Sequence, residues 1–367
     1  MGAGALIVAA GTRTAFAAAP AADGANISAE AHALYQRALV FDANASPPVS
    51  DKLPFPQERL DIVRQSGVTG VKTSLGGTDE SFEDTLAEIA FSQRIIEAYP
   101  DLFMQVREAG DFTKAKETKR LGILFSFESS DMFDGKVERI ELFRNLGVRV
   151  MQLSYNKISP FAAGVLADPP TGLTEAGHKA VSAMNETGVA IDLSHANPTT
   201  TSDVLAASKK PALVTHAGCA AIYKHPRNKT DAQLRVVAAK GGVVGIYDLP
   251  YLAASPKQPD LNVYMAHMTH ALKICGEDHV GIGSDSSLAS FDTSPEAMAG
   301  FWKEVERRKQ TGVGAPGEDR PPYVIGLNTP RRCEVIADAL LKRHYPARVA
   351  EKVLGANFIG ALGNIWA

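Results

Sequence analysis

The chain has 367 residues, 45% of them hydrophobic and 22% charged, the balance of an ordinary globular protein. Its net charge of −3 gives no electrostatic case for binding nucleic acid or for a polybasic membrane anchor. The three cysteines, Cys219, Cys275 and Cys333, are odd in number and widely spaced. They outline neither a zinc knuckle nor a disulfide framework and are expected to be buried free thiols.

The first segment, Gly2 to Ala22, is small, apolar and free of acidic residues. It has the look of the apolar and cleavage regions of an export signal, with the periplasm as the expected destination. Residues 1–26 are therefore read as a signal remnant or disordered tail, and residues 27–367 as one domain. No later run approaches the ~20 apolar residues of a membrane span, so no transmembrane segment is expected.

Eight short apolar runs follow in order: Ala38–Asp42, Val68–Lys72, Gly122–Phe127, Val148–Leu153, Val189–Leu193, Ala212–Val214, Gly242–Tyr247 and Val280–Ile282. Runs of this length read as buried parallel strands. Helical patterns lie between most of them: Pro56–Gln65, Ser81–Tyr99, Lys136–Asn145, Thr174–Glu186, Thr201–Ser208, Asp231–Ala239 and Asn262–Cys275. Gly147, Gly188, Gly241 and Gly276 stand where helices stop. Ser286–Pro330, rich in Gly, Pro and charge, reads as a long loop, and two closing helices are expected near Pro330–Arg343 and Pro346–Leu354. Alternating β and α units without a long linker predict an α/β fold, a (β/α)8 TIM-type barrel with extra C-terminal helices.

Four of the runs end on groups that bind metals or move protons. Gly122-Ile-Leu-Phe-Ser-Phe-Glu128 and Val280-Gly-Ile-Gly-Ser-Asp285 end on carboxylates. Val189-Ala-Ile-Asp-Leu-Ser-His195 and Ala212-Leu-Val-Thr-His216 end on imidazoles. The carboxyl ends of barrel strands are where this architecture carries its chemistry. His195 and His216, one βα unit apart, would face the same mouth, and neutral imidazoles on rigid strands suit Zn²⁺. A buried Glu128 needs a cation, either a metal or an Arg or Lys across the barrel. Asp285, after two glycines that permit close approach, is suited to accept a proton from water and return it to a leaving amine. Arg227, in His225-Pro-Arg-Asn-Lys-Thr-Asp231, could fork onto a substrate carboxylate or lie solvated on the surface. His267 and His270 fall on a helix and read as packing or surface residues.

The set Phe125-Ser-Phe-Glu128, Gly172-Leu-Thr-Glu-Ala-Gly177, Ile191-Asp-Leu-Ser-His195, Thr215-His216, Pro226-Arg-Asn228 and Val280-Gly-Ile-Gly-Ser-Asp285 resembles the membrane (renal-type) dipeptidase family of metallopeptidases, in that family's order across residues 38–360. The resemblance implies a barrel with a binuclear zinc site that cleaves dipeptides, some with a D-residue at the C-terminal position. By it, Glu128 would bridge two metals, His195 and His216 would complete the more buried one, and Asp285 would handle the proton of the attacking water. Arg227 would hold the substrate carboxylate, and Tyr155, in Leu153-Ser-Tyr-Asn156, would polarise the carbonyl.

The first motif departs from the pattern. The family's Asp-Gly-His-x-Asp is replaced by Asp42-Ala43-Asn44-Ala45-Ser46. Asn44 and Ser46 are poor zinc ligands, which leaves Asp42 and Asn44 as a doubtful second site. The expectation is one tight zinc ion, a weak or absent second one, and a periplasmic metallo-dipeptidase acting on a small peptide-like substrate. A homodimer is compatible with it. The alternative is a relative that binds or tailors a peptide-like metabolite without hydrolysing it.

Overall fold

A computed structural model describes residues 27–312 and 314–367. The Ala-rich segment on which the export expectation rests lies outside the described residues.

Eight strands run parallel: β1 Phe41–Asp42, β2 Gly70–Leu75, β3 Leu121–Phe127, β4 Val148–Met151, β5 Ala190–Ile191, β6 Val214–Ala217, β7 Val244–Ile246 and β8 Val280–Ile282. Each overlaps or adjoins one of the eight apolar runs. Strands β1 to β5 neighbour one another in chain order, as do β6 to β8, and β8 pairs with β1 through Asp42 and Ile282. The ring closes between β5 and β6 through a single parallel bridge, Asp192 with Leu213. Two backbone bonds serve that junction, Leu193 N to Leu213 O and Leu213 N to Ile191 O. β2 and β3, by contrast, are in register over six residue pairs. The result is a closed (β/α)8 barrel. All seven residues of β3 are buried, as expected where helices cover a parallel sheet.

The helices start and stop where local chemistry requires. Ser81, Thr174, Thr230 and Asp260 each accept a first-turn amide with the side chain, satisfying donors a helix start leaves open. Gly147, Gly188, Gly241 and Gly276 have φ of 107°, 69°, 79° and 85°, a left-handed backbone that side chains resist.

The segment Ser286–Pro330 departs from expectation. It holds a 17-residue helix, Pro295–Thr311, capped by Ser294 with Pro at its start, and only Phe301 and Arg308 along it are buried. Its charged, mostly solvated face gave the composition of a loop, while the Ser-Pro-Glu start was the helix signal. Ser286–Ser287 also pairs with Ala45–Ser46 in a small second sheet, which ties the β8 exit to the β1 exit. Other elements were absent from the sequence reading: the helices Ala29–Arg37 and Gly110–Glu117, and the strand Phe103–Gln105 beside the lower half of β3. Beyond Ala347–Glu351 the winding continues to Asn357–Trp366, where Phe358 packs on Phe41 and on the open face of Gly281. The three cysteines are buried and free.

Candidate metal centre

The carboxyl ends of β3, β5 and β6 bring three ligand atoms together. One atom each from Glu128, His195 and His216 lies within 4.8 Å of the others, and all three residues are buried. The Nε2 atoms of the two histidines are 3.1 Å apart. Glu128 Oε2 is 3.6 Å from His195 Nε2.

The outer nitrogens show which face each ring presents. Thr215 Oγ1 donates to Asp192 Oδ2 at 2.6 Å, so at 2.9 Å from His216 Nδ1 it accepts the ring hydrogen. His195 Nδ1 likewise meets Asn156 Oδ1 at 2.8 Å. Burial, with the nearby Arg227 charge adding to it, holds both imidazoles well below their ordinary pKa and therefore neutral. Two Nε2 lone pairs thus face each other beside a carboxylate oxygen, an arrangement of acceptors that calls for a cation. Their separation is near the ~3.3 Å edge of a tetrahedron with zinc–nitrogen bonds of about 2.0–2.1 Å. These residues fit one divalent metal. Asp192 orders the junction beneath, accepting from Ser194 N, Thr215 N, Thr215 Oγ1 and Gln152 Nε2.

Among the described residues, the first motif joins no cluster of three potential metal ligands. Asn44 Nδ2 donates to Asp285 Oδ1 at 2.7 Å. Asp42 Oδ1 accepts from the Ser284 and Asn44 amides, which makes it a tie between β1 and β8. Burial raises its pKa, and its Oδ2 has no hydrogen-bond partner. Beside Glu128 stands a residue that had been read only as the end of a strand. Lys72, buried in β2, has its Nζ 3.8 Å from Glu128 Oε1.

Asp285 has a positive φ of 59° and is half-buried. Burial first, then the charge of Glu128, pushes its pKa up to about 7. Tyr155 stacks on His195 with ring centroids 4.0 Å apart. Its pKa is raised by burial, which the Arg308 guanidinium opposes. Arg227 is not solvated: it is 1% exposed, donates through Nη1 to Ser194 O, and sets Nη2 3.0 Å from His195 Nε2. His267 bridges the Cys219 amide and Leu252 O inside the packing, and His270 pairs with Asp231 at 2.8 Å.

Glu128, Tyr155 and Asp285 line a small cavity whose far wall is Tyr251, Phe301, Arg308 and Glu318. Arg308 forks onto Glu318 with two 2.8 Å bonds, pinning the helix Pro295–Thr311 to the following loop. These wall residues were missed because no spacing in the sequence links them to the strand ends.

The glycines before Asp285 are a steric necessity. A Cβ on Gly283 would sit 1.8 Å from Thr215 O, and one on Gly245 2.0 Å from the same oxygen. Gly283→Ala is therefore expected to destabilise the fold by about 3 kcal/mol or more, the upper range of over-packing. Because the clash is with the peptide leading into His216, metal affinity should fall with it. Thermal melting together with zinc titration reads both.

The family model for membrane dipeptidase (peptidase family M19) matches residues 30–311. The chain is 30% identical to dipeptidase verJ of Clonostachys rogersoniana over 72% of this chain and 68% of that one. It is 30% identical to an uncharacterized protein in the pqqA 5′ region of Klebsiella pneumoniae, over 70% and 87% of the two chains. The crystal structure of an amidohydrolase from Pseudomonas aeruginosa superposes with a TM-score of 0.79 at 27% identity, covering 92% of this chain and 99% of that one. With a barrel of this topology and the family match spanning most of it, the chain belongs to the membrane dipeptidase family, peptidase family M19.

Proposed function

We propose that this metal-dependent hydrolase of the dipeptidase type cleaves small dipeptides with one tightly held zinc ion on Glu128, His195 and His216. The observation that carries the reading is the pair of neutral imidazoles with Nε2 atoms 3.1 Å apart beside a buried carboxylate. A divalent metal there, when bound, supplies Lewis-acid polarisation and activated water at neutral pH.

The protein's own residues do the rest. Asp285, its Oδ1 fixed by Asn44 Nδ2, takes the proton from water and returns it to the leaving amine. Tyr155, at the cavity wall, donates its phenol hydrogen to the carbonyl oxygen as charge develops. Arg227 is held by Ser194 O, and its Nη2 is freed for a substrate carboxylate once His195 Nε2 turns to the metal. Tyr251, Phe301 and Arg308 line the small cavity beside these groups, which suits a short substrate.

The test is steady-state kinetics on a panel of L,L and L,D dipeptides, before and after chelation and zinc return. Turnover that vanishes with chelator and recovers with zinc is expected, and no turnover on any member overturns the reading. On the best substrate, Arg227→Ala should raise KM about 10-fold or more and lower kcat less, because a carboxylate clamp acts in the ground and transition states alike. An unchanged KM would remove Arg227 from substrate binding.

A further inference from the structure

We propose that the Lys72 ammonium stands in for a second metal ion at Glu128 and keeps such an ion out, so that the centre is built for one metal and one protein cation. The inference rests on the reading of Glu128, His195 and His216 as one metal's ligands.

The two oxygens of Glu128 look at different positive partners. Oε2 faces His195 Nε2 at 3.6 Å, where the metal would sit. Oε1 faces away from it, accepts a 2.7 Å bond from Ser74 Oγ, and lies 3.8 Å from Lys72 Nζ. The alternation of strands puts these groups together. Lys72 and Ser74 share one face of β2, Ser126 and Glu128 share the facing register at β3, and Ser74 is paired with Ser126. Lys72 Nζ donates to Ser126 Oγ at 3.2 Å, and Ser126 Oγ donates in turn to Thr73 O.

A lysine side chain only 1% exposed is costly unless an anion answers it, and Glu128 is the carboxylate that does so. Among the described residues, the groups of the first motif join no cluster of three potential ligands, although the buried Asp42 Oδ2 has no hydrogen-bond partner. Asn44 turns its amide hydrogens toward Asp285, and the Asp42 Oδ1 is taken up by two backbone amides. An ion bound to Glu128 Oε1 would meet a fixed ammonium and an NH₂ group instead of an imidazole and a carboxylate. Lys72 contacts Glu128 and is proposed to act through it, as a positioning residue. Unlike a second metal, its charge does not depend on metal supply.

Metal per chain distinguishes this from a merely structural lysine. The proteins are the parent, the double variant Asn44→His with Ser46→Asp, and the triple variant that adds Lys72→Met. Each is dialysed against zinc, measured by elemental analysis and titrated with zinc in a calorimeter. The expected result is one ion for the parent, one for the double variant and two for the triple variant. A second ion in the parent or the double variant, with Lys72 in place, overturns the proposal, as does a folded triple variant that still holds one. Should the triple variant fail to fold by circular dichroism, the double variant alone decides: one ion supports the proposal and two overturn it. A parent that holds no ion sinks the metal reading beneath it, which separates the two failures.

Discussion

His216→Ala is expected to leave the protein without tightly bound metal and without turnover. The variant removes one of three ligand atoms, and the remaining pair, His195 and Glu128, keeps no second imidazole to close the cluster. Outer partners would not compensate, because Thr215 Oγ1 would lose the ring it orients. Elemental analysis should fall from one zinc per chain to background, and hydrolysis of the best dipeptide should fall with it. His270→Ala is the control, since that ring pairs with Asp231 on the outer helices and should leave both values unchanged. A His216→Ala protein that still holds zinc at parent affinity would show that the ligands lie elsewhere.

Asp285→Asn is expected to lower kcat by roughly 10²-fold or more, the usual scale of acid–base catalysis, while zinc content stays at the parent value. The substitution keeps the shape and the volume but cannot accept a proton. Burial and the Glu128 charge hold the Asp285 carboxyl at about 7, where one group can both take and return a proton near neutral pH. The Asn44 Nδ2 bond that fixes Oδ1 survives if the new amide presents its oxygen. Parent-like kcat in this variant would remove Asp285 from the proton path.

The barrel was legible because burial on both faces of a parallel sheet writes a continuous apolar run, and β3 and β8 each carry one that stops beside a charged group. The clustering of Glu128, His195 and His216 was legible for the same reason: each of these candidate ligands follows or ends such a run. Lys72 was not. At the edge of an apolar run a lysine normally marks the turn toward solvent, and only the register that sets β2 beside β3 reveals that it points inward. Arg308 and Glu318 were hidden differently. They belong to a helix and loop whose polar composition reflects solvent on the outside, and their closeness to Tyr155 comes from the chain folding back over the mouth. The same holds for Asn156, whose carbonyl sets the His195 ring but whose position next to Tyr155 carries no signature of that role.

One consequence follows from where the barrel closes. Between β5 and β6 the backbone pairing is a single bridge with two bonds, to which the Asp192 carboxylate adds its bonds to Thr215. His195 stands on one lip of that seam and His216 on the other. On the proposed assignment, a metal shared by the two rings would be a clasp across the seam, as well as a reagent, and would stabilise the closed ring in proportion to how tightly it binds. β2 and β3, by contrast, are zipped over six pairs and need no such clasp. On the proposed metal assignment, catalytic competence and mechanical closure of the cylinder would be joined at one atom.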